Sequence, residues 1–344
     1  YQPDVTVGDA RDLADIPPQT VDLVCTHPPY SDIIQYSPDI EGDLSHLSPD
    51  AFLEQMAQVA DETFRVLKPG ANCAILIGDM RKDKYVLPLG FRTIRLFLDK
   101  GFVLNDLIIK RQHNCKTTGF WYTRSIEYNF LLLAHEYLPI FHKPPMPHAP
   151  PLSSSPDESL RFNSTVAHID HLPPLEPSEV ETTTVWLLPS TQPEIKIRHN
   201  LRRRFARPGT QVVDITPPHD RSAKPPDLGA NPSVVYVSSP QPSSERMPAL
   251  QYLASLKRLA AHATPALPPH GFLAVQVQDT RNGERLIPGA IMLHEALRHF
   301  NDLRLKEIVI LVPEHEPPTE PAAPRPDLQI THRYLLVYRK KGQA

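Results

Sequence analysis

Two periodicities alternate along the first 144 residues. Asp4-Val-Thr-Val7 is a short strand candidate, and Val21-Asp-Leu-Val-Cys25 is an apolar run of buried-strand length. Ser48 then reads as an N-cap, with Pro49 at the first helical position and Asp50 in the first turn. Phe52, Leu53, Met56, Val59, Ala60, Phe64 and Leu67 follow at helical spacing, and Pro69-Gly70 is the expected stop. Cys73 to Ile77 reads as a second buried strand. Pro88 opens a helix carrying Ile94, Phe97 and Leu98, which closes near Gly101. Val103 to Lys110 and Tyr128 to Ala134 are the last two predicted strands. Strands alternating with helices of this length predict an α/β fold with a largely parallel sheet.

The pattern breaks after residue 144. Lys143-Pro-Pro-Met-Pro-His-Ala-Pro-Pro151, a serine run and Leu172-Pro-Pro-Leu-Glu-Pro177 lack the donors that sheets and helices need. Residues 145–180 therefore read as a proline-rich linker. Beyond it the first pattern returns. Leu67 to Met80 aligns without gaps on Leu267 to Thr280, and Arg81/Arg281 and Pro88/Pro288 keep the offset. There are six identities in 24 positions, so the order of elements carries more weight than the identities. The helix recurs as Leu250, Leu253, Leu256 and Leu259, and Leu305 to Val312 and Tyr334 to Tyr338 match the last two strands. The expected organisation is a unit at 1–144, the linker at 145–180, and a degenerate α/β unit of similar order at 181–344.

Composition adds limits. The chain has 344 residues, enough for two ordinary units, and 22% of them are charged, which is a globular value. Its 40 prolines and 13 glycines contrast with roughly 17 and 24 at average usage, and the prolines fall between the periodic segments. Net charge is −3, so any nucleic-acid surface is local. Cys25, Cys73 and Cys115 are too far apart for a metal knuckle or a disulfide framework, which suits a reducing, cytoplasmic setting. No stretch approaches the roughly 18 apolar residues of a membrane span, and no charged-then-apolar leader is expected. The histidines lack HxxxH or HExxH spacing, so no zinc site is expected. Asp32, Asp39, Glu41 and Asp43 read as a solvated acidic loop.

The residues richest in chemistry are Thr26-His-Pro-Pro-Tyr30, directly after a buried strand. Ligands of open α/β sheets bind beyond the carboxyl ends of strands. Two prolines there fix the backbone and can hold carbonyl oxygens in place, and the ring beside them offers a stacking face for a flat base. A polar side chain ahead of them can accept a hydrogen bond. The plainer alternative is a proline turn with a packed tyrosine.

This loop resembles the catalytic signature, Asp-Pro-Pro-Tyr and its variants, of the methyltransferases that modify adenine N6 or cytosine N4 in DNA. Val7-Gly-Asp-Ala-Arg-Asp-Leu13 and the following Pro-Gln-Thr-Val-Asp-Leu-Val resemble the segment leading into that signature. Arg65-Val-Leu-Lys-Pro-Gly70 and Gly78-Asp79 resemble the next block. Ile108 to Asn114 and Tyr128 to Glu136 resemble the end of the catalytic region. The resemblance covers residues 4–144 and implies a Rossmann-like fold dependent on S-adenosylmethionine. It implies that Asp9 and Ala10 meet the cofactor's adenosine and that Thr26 borders the cofactor. It further implies that His27, Pro28, Pro29 and Tyr30 form the catalytic loop around a base flipped out of DNA. His27 departs from the usual Asp, Asn or Ser. A neutral imidazole can accept one hydrogen bond from an amino group, whereas an imidazolium cannot. The family's glycine-rich cofactor loop is absent, since no GxG occurs in the chain. The expectation is that two strands and this loop precede Tyr1, or that the chain never bound the cofactor.

Basic segments complete the reading. Lys110 to Arg124 mixes Lys110, Arg111, His113, Lys116 and Arg124 with Phe120, Trp121 and Tyr122, which suits phosphate contact and base stacking. Lys110, Arg111, His113, Lys116, Trp121 and Arg124 are the candidate nucleic-acid contacts. Arg198, Arg202, Arg203, Arg204 and Arg207 form a second basic patch. At the position of the catalytic loop the second half carries Ser238-Ser-Pro-Gln-Pro242, without an aromatic residue. Two rivals stand beside a DNA enzyme: an RNA base methyltransferase and a non-catalytic nucleic-acid-binding subunit. A restriction or specificity partner is compatible with the resemblance, and the sequence leaves the oligomeric state open.

Overall fold

Ser48 caps the first helix as its spacing requires: its hydroxyl accepts the Ala51 N–H, and α1 runs Pro49–Val66. Phe52, Leu53, Met56, Val59 and Ala60 line its buried face. In this computed structural model the described residues are 2–37, 39–112, 118–145, 165–168, 180–216, 227–229, 232–238, 249–314 and 328–342. The helix stops at Val66, three residues before Pro69, because the chain turns directly into a strand. The first half holds β1 (Val21–Thr26), α1, β2 (Leu67–Ile75), β3 (Ile77–Gly78), β4 (Met80–Lys82), β5 (Tyr85–Leu87) and α2 (Leu89–Asp99). It continues through β6 (Val103–Arg111), α3 (Thr118–Glu127) and β7 (His135–His142). β1 lies parallel to β2, and β7 runs antiparallel between the β2–β3 line and β6.

The second half holds β8 (Thr165–His168), β9 (Val185–Leu188), α4 (Pro193–Phe205), β10 (Val212–Thr216), β11 (Val234–Val237) and α5 (Ala249–Ala266). After these come β12 (Phe272–Val277), β13 (Thr280–Asn282), β14 (Arg285–Ile287), α6 (Gly289–Leu297), β15 (Leu303–Pro313) and β16 (Arg333–Lys340). Its sheet has the order β8-β10-β11-β12-β16-β15-β9. The segment β11-β12-β16-β15 repeats β1-β2-β7-β6 in order and direction. The fold is thus α/β, with sheets that mix parallel and antiparallel pairs where the sequence pattern predicts a largely parallel sheet, and with a second unit of similar order.

Several expectations are corrected. Asp4 to Val7 is not a strand: among the described residues β1 pairs only with β2, and Val5 and Val7 are exposed. Tyr128 to Ala134 is not the last strand, which is β7, directly after it. The register of β7 puts Tyr137 and Phe141 in the core, while Leu131 packs with Trp186 and Leu188 of the second unit. An apolar run cannot by itself distinguish these two kinds of burial. Thr165 to His168, inside the proline-rich stretch, pairs antiparallel with β10 at the sheet edge.

The halves exchange arms. The β4–β5 hairpin sends Arg81 to Glu307 on β15, and the β13–β14 hairpin sends Arg281 to Asp106 on β6. Phe91 of α2 packs edge-on against Tyr334, with centroids 6.1 Å apart. One apolar cluster runs through both sheets.

Candidate catalytic loop

Thr26 ends β1, and its carbonyl accepts the Leu76 N–H at 2.9 Å. The chain then leaves the sheet through exposed His27 and half-buried Pro28, Pro29 and Tyr30. The structure brings these four together. The Tyr30 ring lies on Gly78 so closely that a Cβ there would sit 2.9 Å from Cε2 and 3.3 Å from Cζ. Gly78 faces Glu136 across the β3–β7 ladder. The Tyr30 hydroxyl donates to Glu136 Oε1 at 2.5 Å, and Lys110 Nζ donates to Oε2 at 2.6 Å. His27 Nε2 lies 2.8 Å from the Tyr30 hydroxyl. Burial and the neighbouring Glu136 carboxylate push the Tyr30 phenol well above its usual range. Burial works to raise the Glu136 carboxyl, but hydrogen bonds from Lys110, Tyr30 and Gln112 outweigh it and hold the group low.

Beneath this surface lies a buried chain of polar groups. Asp79 accepts the Gly90 N–H at 2.9 Å and the Tyr137 hydroxyl at 2.9 Å. His135 Nε2 is 2.9 Å from that hydroxyl, and His135 Nδ1 is 2.8 Å from Thr184 Oγ1 of the second unit. Burial pushes Asp79 up to about 7 and His135 down to about 3.

Comparison of the two units separates frame from site. Asp279, Tyr334 and His332 repeat Asp79, Tyr137 and His135, with His332 Nε2 3.0 Å from the Tyr334 hydroxyl. Strand pairing sets Ser238 opposite His27, one residue off the expected alignment, because Val237 pairs Val275 as Thr26 pairs Ile75. The same registers set Gln278 at the place of Gly78, Arg333 at Glu136 and Leu311 at Lys110. Residues 239–242 lie outside the described residues.

The candidate cofactor residues do not converge as expected. Asp9 and Ala10 are exposed, and the Asp9 carboxylate is engaged by the Arg11 backbone N–H and guanidinium, the ion pair closing at 2.5 Å. These hydrogen bonds hold Asp9 below the usual carboxylate range. Arg65 ties this segment to α1 through the carbonyls of Leu13 and Ile16. The outer edge of β1 carries no strand among the described residues. As placed, the exposed Asp9 and Ala10 supply no buried contact for S-adenosylmethionine.

The basic segment is split as well. Lys110 is bound to Glu136 and Arg111 is exposed at the end of β6; His113 and Lys116 lie outside the described residues. Trp121 and Arg124 sit on α3, with the guanidinium 5.3 Å from the indole centre. The arginine patch is not one surface. Arg204 is buried against the carbonyls of Phe130 and Ser125, and Arg198 pairs with buried Asp214 at 2.5 Å. Sequence reasoning missed Glu136 as a site residue. Its only signal was a carboxylate closing an apolar run.

An α/β sheet with a proline-tyrosine loop at the carboxyl end of a parallel strand is a Rossmann-like arrangement with that loop where such sheets bind ligands. The DNA methylase family model for N6 and N4 methylation matches residues 21–211, more than half of the sequence. The chain belongs to this DNA methylase family. It is 29% identical over 151 residues to the type II methyltransferase M.MthZI of Methanothermobacter thermautotrophicus, covering 39% of this chain and 42% of that protein. It is 30% identical over 131 residues to M.BglII of Bacillus subtilis, covering 35% and 34%. The match therefore spans less than half of each curated relative. Among solved structures, TTHA0409 of Thermus thermophilus, assigned as a DNA modification methylase, shares 28% identity. That alignment covers 42% of this chain and 54% of that one at a TM-score of 0.31. The cytosine-N4-specific PvuII DNA methyltransferase shares 16% over 41% and 49%, at 0.32. No helix of the described residues is long and apolar enough to cross a membrane.

Proposed function

We propose that this chain methylates the exocyclic amino group of adenine (N6) or cytosine (N4) in DNA, with S-adenosylmethionine as methyl donor. In this reading residues 1–144 are the catalytic unit, 145–180 connect, and 181–344 are a companion that lacks the gripping loop. The observation that carries it is the loop His27 to Tyr30, held on Gly78 and Glu136. The base leaves the helix to reach it. Pro28 and Pro29 offer carbonyl oxygens to the amino group, Tyr30 stacks on the base, and neutral His27 accepts an amino proton's hydrogen bond. These contacts orient the nitrogen lone pair, and positioning is the enzyme's main contribution. Trp121, Arg111 and Arg124, with His113, Lys116 and Lys110, are the proposed DNA contacts.

The test is transfer of labelled methyl groups to duplex DNA by wild type and Tyr30→Ala. A base–aromatic stack is worth ~1–3 kcal/mol, so Tyr30→Ala is expected to lose most of the transfer. Full activity in Tyr30→Ala would refute the loop's role. Equal transfer to RNA would favour an RNA substrate. A second reading, a non-catalytic DNA-binding subunit, draws on the exposed Asp9 already engaged by Arg11. Calorimetry with S-adenosylmethionine separates the two.

A further inference from the structure

We infer that Glu136 is a positioning residue that sets the tautomer of His27 through the Tyr30 hydroxyl, leaving His27 Nδ1 free to accept from the base's amino group. The inference rests on the proposed base-modifying role of the loop, but its geometry can be tested without that role. A tyrosine hydroxyl has one proton. An ionised carboxylate can only accept, so at 2.5 Å from Glu136 Oε1 the Tyr30 proton lies toward Glu136. The hydroxyl oxygen then faces His27 Nε2 at 2.8 Å as an acceptor, and Nε2 must bring a proton. A neutral imidazole has one N–H, so Nδ1 keeps its lone pair. Lys110 Nζ, 2.6 Å from the other carboxylate oxygen, favours the ionised form on which this direction depends. The hydrogen bonds that hold Glu136 low agree with it.

The second unit gives independent support. It keeps the buried Asp-Tyr-His frame but replaces the described partners of Tyr30. Ser238 stands at His27, Arg333 at Glu136, Leu311 at Lys110 and Gln278 at Gly78. Groups that only support the sheet recur in both units. Among the described residues, the relay occurs only beside the proline-tyrosine loop.

Nitrogen-15 NMR of histidine-labelled chain at alkaline pH reads the tautomer, with His27→Asn identifying the resonances. Wild type is expected to show the Nε2–H form. Glu136→Gln keeps an oxygen acceptor for Tyr30 and is expected to match it. In Glu136→Ala the Tyr30 hydroxyl turns to donate to Nε2, and the Nδ1–H form is expected to dominate. Tyr30→Phe is expected to give the mixed tautomers of a free imidazole, and it decides the question if Glu136→Ala does not fold. An unchanged Nε2–H form in Glu136→Ala and Tyr30→Phe would overturn the inference. In methyl transfer, Glu136→Ala should lower kcat at least ~10-fold with KM for DNA unchanged, and Glu136→Gln should restore it. Absence of transfer in wild type would overturn the proposed function alone, because the NMR result still decides the relay.

Discussion

Replacing Arg81 with Met should destabilise the whole chain, although Arg81 is far in sequence from its partner. Arg81 Nη2 lies 2.6 Å from Glu307 Oε2 and Nη1 lies 3.2 Å from Oε1, a two-point contact between the units. The Glu307 side chain is 0% exposed and that of Arg81 14%. Breaking a buried ion pair by removing one partner costs about 3–5 kcal/mol, since the other charge is left desolvated. Here Glu307 keeps the Leu131 N–H at 3.2 Å and Lys306 Nζ at 3.8 Å, so the lower end, about 3 kcal/mol, applies. Arg81→Met also frees the Leu131 carbonyl, which Arg81 Nη2 now meets at 2.6 Å. Burial pushes the Glu307 carboxyl above its usual range even with Arg81 in place. Without Arg81 the rise is larger, because the Lys306 charge and the Leu131 N–H alone still oppose it. A raised carboxyl contributes stability at low pH that is lost as pH climbs through its folded pKa. The penalty of Arg81→Met should therefore be smaller at about pH 5 than at about pH 8. Urea unfolding at both values measures it. Arg81→Met/Glu307→Leu should recover much of the loss, as apolar replacements of buried pairs often do. A loss below about 0.5 kcal/mol, or one independent of pH, would refute the argument.

Three further outcomes are expected. Gly78→Ala would place a Cβ 2.9 Å from Tyr30 Cε2, so the ring must shift off Glu136. Methyl transfer should fall while the unfolding midpoint moves little, and unchanged transfer would show that the ring's seat is not used. Asp79, pushed up to about 7 by burial, contributes stability that is lost as pH rises from the ordinary carboxylate range through about 7. Asp79→Asn should remove that decline, so wild-type and variant unfolding energies should converge toward acid and separate above neutrality; parallel curves would exclude it. Calorimetry of residues 1–344 with S-adenosylmethionine should show weak binding, because Asp9 is exposed and engaged by Arg11. Tight binding would mean that other residues build the pocket.

The sequence determined what local chemistry can write. Ser48, Pro49 and the apolar spacing specify α1, and Val21 to Cys25 before two prolines marks a strand that ends at the candidate loop. The offset of 200 residues foretold the recurring strands and helices, though not the hairpins β4–β5 and β13–β14. The tertiary structure decided which apolar run becomes β7, because Tyr128–Ala134 and His135–His142 both carry apolar runs. The choice depends on contacts with Trp186, Leu188 and Glu307, more than 50 residues away. It also decided that Arg204, which read as part of a basic patch, is an internal strut, as are Arg81 and Arg281: each finds carbonyls or carboxylates in the other half. Above all it joined Glu136 to Tyr30 across 106 positions. No periodicity encodes that pairing. It follows from Gly78 lying opposite Glu136 in the sheet, which brings a carboxylate beside the one glycine that Tyr30 can cover.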